Sequence, residues 1–245
     1  GWVPIRNYKD HVIAEFDPVT RRIAFRKPKE WIKETCAYMY RFRTAHTLDM
    51  MLSEEHRVIY DTRYSPNEFR VMTAIRLFEK HNSLKDGWSG RIPTVFDAEC
   101  REDLPIDDAT MRLTVAIAAD GHIPLRGRQV MVTLRKNRKK QRVRNLLKSG
   151  GVEWEERISP KRPTEVRFVF LWPNRIKPLT QLWKASKRQL EIICDEVIYW
   201  DSTTDKDDGS FCFSTSKEDE SDFIQYALAC CGRRASIGKI EYKNP

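Results

Sequence analysis

The segment from Arg126 to Lys148 contains ten lysines and arginines and no acidic residue. Like charges at this density repel one another, so they favour contact with a counter-charge, and phosphate groups can supply it. The chemistry that this segment predicts is therefore phosphate binding. Its candidate residues are Arg126, Arg128, Arg135, Lys136, Arg138, Lys139, Lys140, Arg142, Arg144 and Lys148.

A second candidate is the glycine-bounded stretch near the C-terminal end, CGRRASIGK at 231–239. Gly232 is well placed to end a helix in the left-handed conformation, and Gly238 would permit the close approach of another backbone. Arginine side chains and free backbone N–H groups between the two glycines could form an anion-binding turn. Viewed alone, a capped helix followed by an edge strand explains this stretch equally well. The candidate residues are Gly232, Arg233, Arg234, Ser236, Gly238 and Lys239.

The sequence offers little for metal chemistry. Its six cysteines show no CxxC or Cys/His spacing that suits a tetrahedral zinc site. Asp201, Asp205, Asp207 and Asp208 could supply metal ligands, but their position between two predicted strands favours a solvated hairpin loop. We therefore expect neither a metal nor a cofactor.

Composition limits the class of protein. Of the 245 residues, 40% are hydrophobic and 32% are charged, as in folded soluble proteins. No apolar run is as long as a membrane span, and the first residues lack the pattern of a signal peptide, so the expected location is the cytoplasm, with no membrane partner. The net charge of +9 favours a polyanionic partner. The charge is unevenly distributed, because ten acidic residues and two lysines lie between Asp195 and Asp222.

The elements of the N-terminal part, residues 1–151, are predicted as a less regular α+β domain. Alternating residues at 11–16 and 22–26 predict a hairpin, and Ser65-Pro66-Asn67-Glu68 predicts the start of a helix. The other predicted elements are a helical region at 31–52, a strand at 57–64, a loop at 82–110, strands at 111–119 and 130–134, and a basic helix at about 135–148. With little apolar surface to bury, this helix is expected to project as a finger within about 126–150.

The C-terminal part, residues 164–245, follows a predicted linker at 152–164. Its predicted elements are strand 165–172, helix 179–193, strand 196–201, strand 210–215, helix 221–231 and strand 235–242. The order βαββαβ is typical of a ferredoxin-like (RRM-like) domain, with two helices on one face of a four-stranded antiparallel sheet. The predicted fold class is therefore α+β.

The arginine-bearing loop CGRRASIGKIEY, placed between the last helix and last strand of such a domain, resembles that of the repeat-associated (RAMP) proteins of CRISPR systems. The nearest type is the endoribonuclease that cuts precursor CRISPR RNA, and the basic finger is similar to that of the type IV version. The resemblance covers about the C-terminal third and the finger.

This resemblance implies cleavage without metal at the base of a hairpin repeat, by attack of a 2′-hydroxyl on the adjacent phosphate. His46 lies where that family often carries its base, although packing of this side chain in the core is the commoner role. Arg22, Arg233 and Arg234 would hold the scissile phosphate and stabilise its charge. The protein would remain bound to the mature RNA, with other effector subunits as further partners.

Two alternatives remain open at this point. The chain could be a non-catalytic guide-RNA-binding subunit of a CRISPR effector complex. It could also be a basic DNA-binding replication initiator, which belongs to a different functional class. Incubation with hairpin RNA in chelator separates the three hypotheses.

Overall fold

The chain divides into two compact units in a computed structural model. The structure describes residues 7, 10–43, 48–83, 90–98, 101–124, 128–172, 179–205, 207 and 209–240. One unit lies within residues 4–99 and includes the stretch from Gly232 onwards, and the other lies within residues 100–231. Both mix helices and strands, so the predicted α+β class is confirmed. None of the described helices is long and apolar enough to cross a membrane.

The first unit, within residues 4–99 and 232–240, is built from short strands and one helix. Its elements are β1 (Ile13–Asp17), β2 (Arg22–Arg26), β3 (Met39–Arg43), β4 (Asp49–Ser53), β5 (Arg57–Thr62), β6 (Ser65–Thr73), α1 (Ala74–Ser83), β7 (Gly90–Arg91) and β8 (Asp97–Ala98). The strands form three small sheets with the orders β1-β2-β8, β3-β4 and β6-β5-β7.

The predicted N-terminal hairpin is confirmed. Strands β1 and β2 pair antiparallel, with Asp17 opposite Arg22. The carboxylate of Asp17 accepts hydrogen bonds from the Val19 N–H and the Thr20 hydroxyl, both at 2.8 Å, and so closes the turn. These two bonds are the main cause of the lowered pKa of Asp17.

The helical region predicted at 31–52 is wrong, because the described residues there form the antiparallel pair β3–β4. Apolar side chains at alternate positions face α1, where the Tyr40 and Phe42 rings lie 5.1 and 6.2 Å from that of Phe78. On the other side, Arg41 makes a bidentate ion pair with Asp49. The conformation of this segment is therefore determined by the alternating burial of a hairpin, although its apolar residues also fit helical spacing.

The helix predicted to start at Ser65 is also wrong. Strand β6 begins there and pairs with β5, and α1 begins only at Ala74. The buried Asp61 accepts a 2.7 Å hydrogen bond from the Asn67 N–H, which fixes the turn and leaves Asn67 at a φ of 68°. Tertiary pairing overrides the local capping signal in this segment.

The second unit, within residues 100–231, contains the longest elements. They are α2 (Asp108–Asp120), β9 (Gly121–His122), β10 (Gln129–Leu134), α3 (Asn137–Ser149), β11 (Trp154–Ser159), β12 (Arg162–Leu171), α4 (Lys187–Val197), β13 (Ser202–Thr204), β14 (Phe211–Phe213) and α5 (Glu218–Cys230). Four antiparallel strands form a sheet in the order β11-β12-β10-β9, while β13 and β14 pair with each other. A short 3-10 helix at Leu179–Leu182 precedes α4.

The strand predicted at 111–119 is a helix, α2. Asp107 caps it, accepting from the Thr110 N–H at 2.9 Å. Met111 and Ile117 are both fully buried, and so are most residues between them. A helix that is buried on nearly all sides reads as a continuous apolar run, which periodicity cannot distinguish from a buried strand.

The linker predicted at 152–164 is strand structure. Strands β11 and β12 form a hairpin through the turn at Pro160 and Lys161, with Trp154 opposite Phe170. This hairpin is rich in charged residues, because one of its faces is exposed. The charged residues and prolines of this hairpin give it the composition of a linker, although its structure is a pair of strands.

The predicted ferredoxin-like sheet of residues 164–245 is not formed by the described residues. Strand β12 instead joins β10 and β11, and the predicted strand at 196–201 is the end of α4 followed by a turn. Residues 232–240 contain no helix or strand. Within the predicted strand 196–201, Trp200 is buried and its indole N–H donates to Glu196, one helical turn earlier.

Candidate nucleic-acid interface

Helix α3 carries most of the basic run, and its predicted helical conformation is confirmed. The helix ends at Gly150, and Gly151 follows with a φ of 60°. The expectation that the helix projects as a finger is wrong. Val143, Leu146 and Leu147 are buried, and Lys139 and Lys140 are only 8% exposed. A lysine stem can be packed in this way while its ammonium reaches a partner.

Carboxylates of this chain neutralise much of the charge on α3. Lys139 lies 2.5 Å from Asp120 and 3.3 Å from Asp201. Arg144 makes a bidentate ion pair with Glu156, at 2.8 and 2.6 Å, which lowers the pKa of that carboxyl. These ion pairs correct the expectation that the basic run requires external phosphates.

Some of the other predicted residues of the basic run contact groups of this chain, and others are exposed without an ion pair to a described residue. Arg142 pairs with the buried Glu196, Arg138 donates to the Tyr199 carbonyl at 2.9 Å, and the Lys140 ammonium lies 3.2 Å from the Asn137 side chain. Arg128, Lys136 and Lys148 are exposed, and no ion pair joins them to another described residue. Arg126 lies outside the described residues.

The four-stranded sheet of the second unit has one buried face and one face that is exposed except at Val169, which is buried, and Met131, which is half-buried. Val130, Val132 and Leu134 of β10 are buried on the side of α2 and α3, as is Phe168 of β12. We call the opposite side the open face. Its exposed side chains are His122, Gln129, Thr133, Glu155, Arg157, Arg167 and Leu171.

The centre of the open face holds a row of three residues across three strands. Arg167 of β12 lies directly opposite Arg157 of β11 and directly opposite Thr133 of β10. Like charges in directly opposed positions destabilise a sheet. Arg157 is compensated by Glu155 at 2.7 Å, whereas no ion pair joins Arg167 to a described residue.

The open face carries more positive than negative charge. Beyond the central row, Glu165 pairs with Arg135 at 3.1 Å and with Arg162 at 3.6 Å. The guanidinium group of Arg135 lowers the pKa of Glu165, so this carboxyl is ionised at neutral pH. On the open face itself Arg157 and Arg167 stand against Glu155, and at its edge Arg135 and Arg162 share Glu165, so the face and its edge together have an excess of two positive charges.

The sequence prediction missed Arg157, Arg162 and Arg167. Arg157 and Arg162 lie in the predicted linker at 152–164, and Arg167 lies in the predicted strand at 165–172. The alternation of Val166, Arg167 and Phe168 is the signal that could have placed Arg167 on an exposed face.

The glycine-bounded stretch belongs to the first unit. Gly232 follows α5 with a φ of 71°, so its predicted left-handed role is confirmed. Gly238 has open space where a Cβ would stand, and its φ is not in the left-handed region. The side chains of the other four predicted residues in this stretch are exposed, namely Arg233, Arg234, Ser236 and Lys239.

The remaining predicted catalytic residues are Arg22 and His46. Arg22 begins β2 and is exposed. His46 lies outside the described residues. Within the ranges that the structure describes, no group of three His, Cys, Asp or Glu side chains could hold a metal ion.

Comparison with known proteins gives only distant structural similarity. No family model matches the chain, and neither does any curated protein. Among solved structures, the N-terminal LAGLIDADG domain of DUF199/WhiA is similar with a TM-score of 0.38 and 12% identity, covering 51% of this chain and 67% of that one. Full-length DUF199/WhiA from Thermatoga maritima is similar with a TM-score of 0.39 and 12% identity, covering 49% and 43% respectively.

Proposed function

We propose that this chain binds duplex DNA through the open face of the sheet β11-β12-β10-β9. The observation that carries the proposal is the pairing of Arg157 with Arg167 at directly opposed positions, with an unneutralised guanidinium at Arg167. Repulsion between the two is relieved when a phosphate or a base edge accepts from both. The excess of positive charge on this face also favours a polyanion.

The polar side chains of the open face favour duplex DNA over duplex RNA. The major groove of B-DNA admits a β-ribbon of two strands, and arginine and glutamine make bidentate hydrogen bonds to guanine and adenine there. Gln129, Thr133 and Arg167 supply donors and acceptors of these kinds on neighbouring strands. The major groove of A-form RNA is too deep and narrow for such contacts.

The test compares charge reversal on the open face with the same reversal on α3. Arg167→Glu should weaken binding of a fluorescent DNA duplex about tenfold at moderate salt, measured by anisotropy. Lys148→Glu changes the net charge equally but lies on α3, and it should have a small effect. Equal effects of the two variants would contradict an interface on the sheet.

Metal-independent cleavage of a hairpin CRISPR repeat is the second candidate. It is supported by the left-handed Gly232, by exposed Arg22, and by exposed Arg234, which has no ion pair with another described residue. A cyclic-phosphate product from hairpin RNA in chelator, with cleavage lowered more than binding by R233A/R234A, would favour it over the first candidate. Tighter binding to duplex DNA than to hairpin RNA, without product, would favour DNA binding.

A further inference from the structure

An open groove of about 700 Å³ lies among helices α2, α3 and α4 of the second unit. This volume is within the usual range for sites that bind small molecules. Its lining includes Arg112 of α2, Arg142 and Asn145 of α3, and Tyr199 after α4. The DNA-binding proposal makes no use of this groove.

The two arginines of the groove share one carboxylate, that of the fully buried Glu196. Glu196 Oε1 accepts from the Trp200 indole and from Arg142 Nε, both at 3.0 Å. Its Oε2 accepts from Arg142 Nη2 and, at 3.2 Å, from Arg112 Nη1. Each oxygen of Glu196 thus has two donors, and the carboxylate has no capacity left for the other N–H groups of the two arginines.

The unused donors lie on side chains that solvent can reach. The side chains of Arg112 and Arg142 are 31% and 25% exposed, and the structure shows no second acceptor for either among the described residues. Asn145 is also oriented as a donor, because its Oδ1 accepts from Gln141 at 3.0 Å. Three side chains therefore offer N–H groups to an occupant of the groove.

The lining also has an apolar part and one carboxylate. Leu146, Ile198 and the Tyr199 ring supply the apolar part, and Arg142 stacks on that ring at 4.2 Å. Glu196 and Asp195 together balance the charges of the two arginines, so the unused N–H donors, and not a net positive charge, select the occupant. The combination fits an organic anion with a compact, oxygen-rich head.

We infer that this groove binds a small organic anion, a phosphate ester or a carboxylate. Its oxygens accept from Arg112, Arg142 and Asn145, and its apolar part packs against Leu146 and Tyr199. Both head groups offer the same acceptor chemistry, so separate probes distinguish them.

Calorimetric titration of the full chain with adenosine 5′-monophosphate, benzoate and adenosine provides the test. At least one of the two anions should bind saturably, with a Kd of about 1 mM or tighter, and adenosine should not. Inorganic phosphate should bind more weakly than adenosine 5′-monophosphate, because it lacks the part that packs on Tyr199. Absence of binding for both organic anions, or equal binding of adenosine, would overturn the inference.

Variants locate the binding in the groove. Arg112→Ala removes one donor while Arg142 still holds Glu196, and it should weaken anion binding about tenfold. Asn145→Asp places a carboxylate at an exposed position, where it should repel the anion without destabilising the fold. This variant replaces Arg112→Ala in the test if Arg112→Ala fails to fold. Unchanged affinity in folded variants would overturn the assignment. Lys148→Ala and Arg167→Ala, outside the groove, should retain anion binding whether or not the open face binds DNA.

Discussion

The ammonium of Lys139 lies 2.5 Å from the carboxylate of Asp120, and this ion pair joins α3 to the C-terminal end of α2. Lys139 is 8% exposed, and Trp200 also packs near it, with its ring centre 5.7 Å from the ammonium. A cation at this end of α2 also opposes the partial negative charge of the last carbonyl groups.

Replacing Lys139 with methionine should lower the free energy of unfolding by about 2 kcal/mol, because the partly buried Asp120 would lose its cation while solvent compensates part of the loss. Urea unfolding of the full chain measures this loss. The double variant K139M/D120N should lose less than K139M. Lys148→Met, at an exposed position of the same helix, should stay within about 0.5 kcal/mol of the wild type. Wild-type stability of K139M would show that this pair contributes nothing.

Arg167→Thr should raise stability while lowering DNA affinity. The substitution removes the repulsion from Arg157 and introduces a residue suited to strands, a gain of about 0.5 kcal/mol. Unfolding at low and at high salt provides the measurement, and the gain should shrink at high salt because salt screens exposed charges. A loss of stability at low salt would contradict the role assigned to this arginine pair.

Acid should weaken the first unit through Asp61. Hydrogen bonds from Arg91, and a further one from the Asn67 N–H, hold the pKa of this buried carboxyl below its ordinary value of 3.8. A lowered pKa in the folded state contributes stability above the ordinary value, and this contribution is lost as pH falls through the folded value. Asp61→Asn should therefore be less stable at pH 7, with a flatter dependence on pH below about 4. If the free energy of unfolding changed with pH in the same way for the variant and the wild type, the result would be inconsistent with this ion pair.

Alanine should be tolerated differently at two glycines of the C-terminal stretch. Gly232 has a φ of 71°, so Gly232→Ala should cost about 1 kcal/mol although open space surrounds it. Gly238 also has open space and lacks a left-handed φ, so Gly238→Ala should be nearly neutral. Thermal unfolding of the two variants gives the comparison, and equal melting temperatures would contradict it.

Local signals predicted those elements whose ends are set by nearby residues. The turn at Asp17 closes the first hairpin, and Gly150 and Gly151 end α3 where the sequence indicates. The prediction that a helix starts at Ser65 was wrong because pairing of β6 with β5 outweighs a capping signal of only four residues. The prediction of a strand at 111–119 was wrong because a helix that is buried on most sides has no polar face, so its sequence lacks helical periodicity.

The candidate interface could be predicted only in part, because positive charge alone does not show where counter-charges lie. The partners of Lys139 and Arg144 come from separate elements, and Glu156 lies in the predicted linker. Arg167, by contrast, is preceded and followed by buried apolar residues, and its exposure was readable from that alternation. Its opposition to Arg157 required the register of the hairpin.

The carboxylate partners of α3 are distributed over the end of α2, strand β11 and helix α4, at Asp120, Glu156 and Glu196. A substitution in any of these elements would leave an unmatched cation on α3. Related sequences should therefore show correlated substitutions at 120 with 139, at 156 with 144 and at 196 with 142. Such covariation would identify this packing arrangement even where overall sequence similarity has been lost.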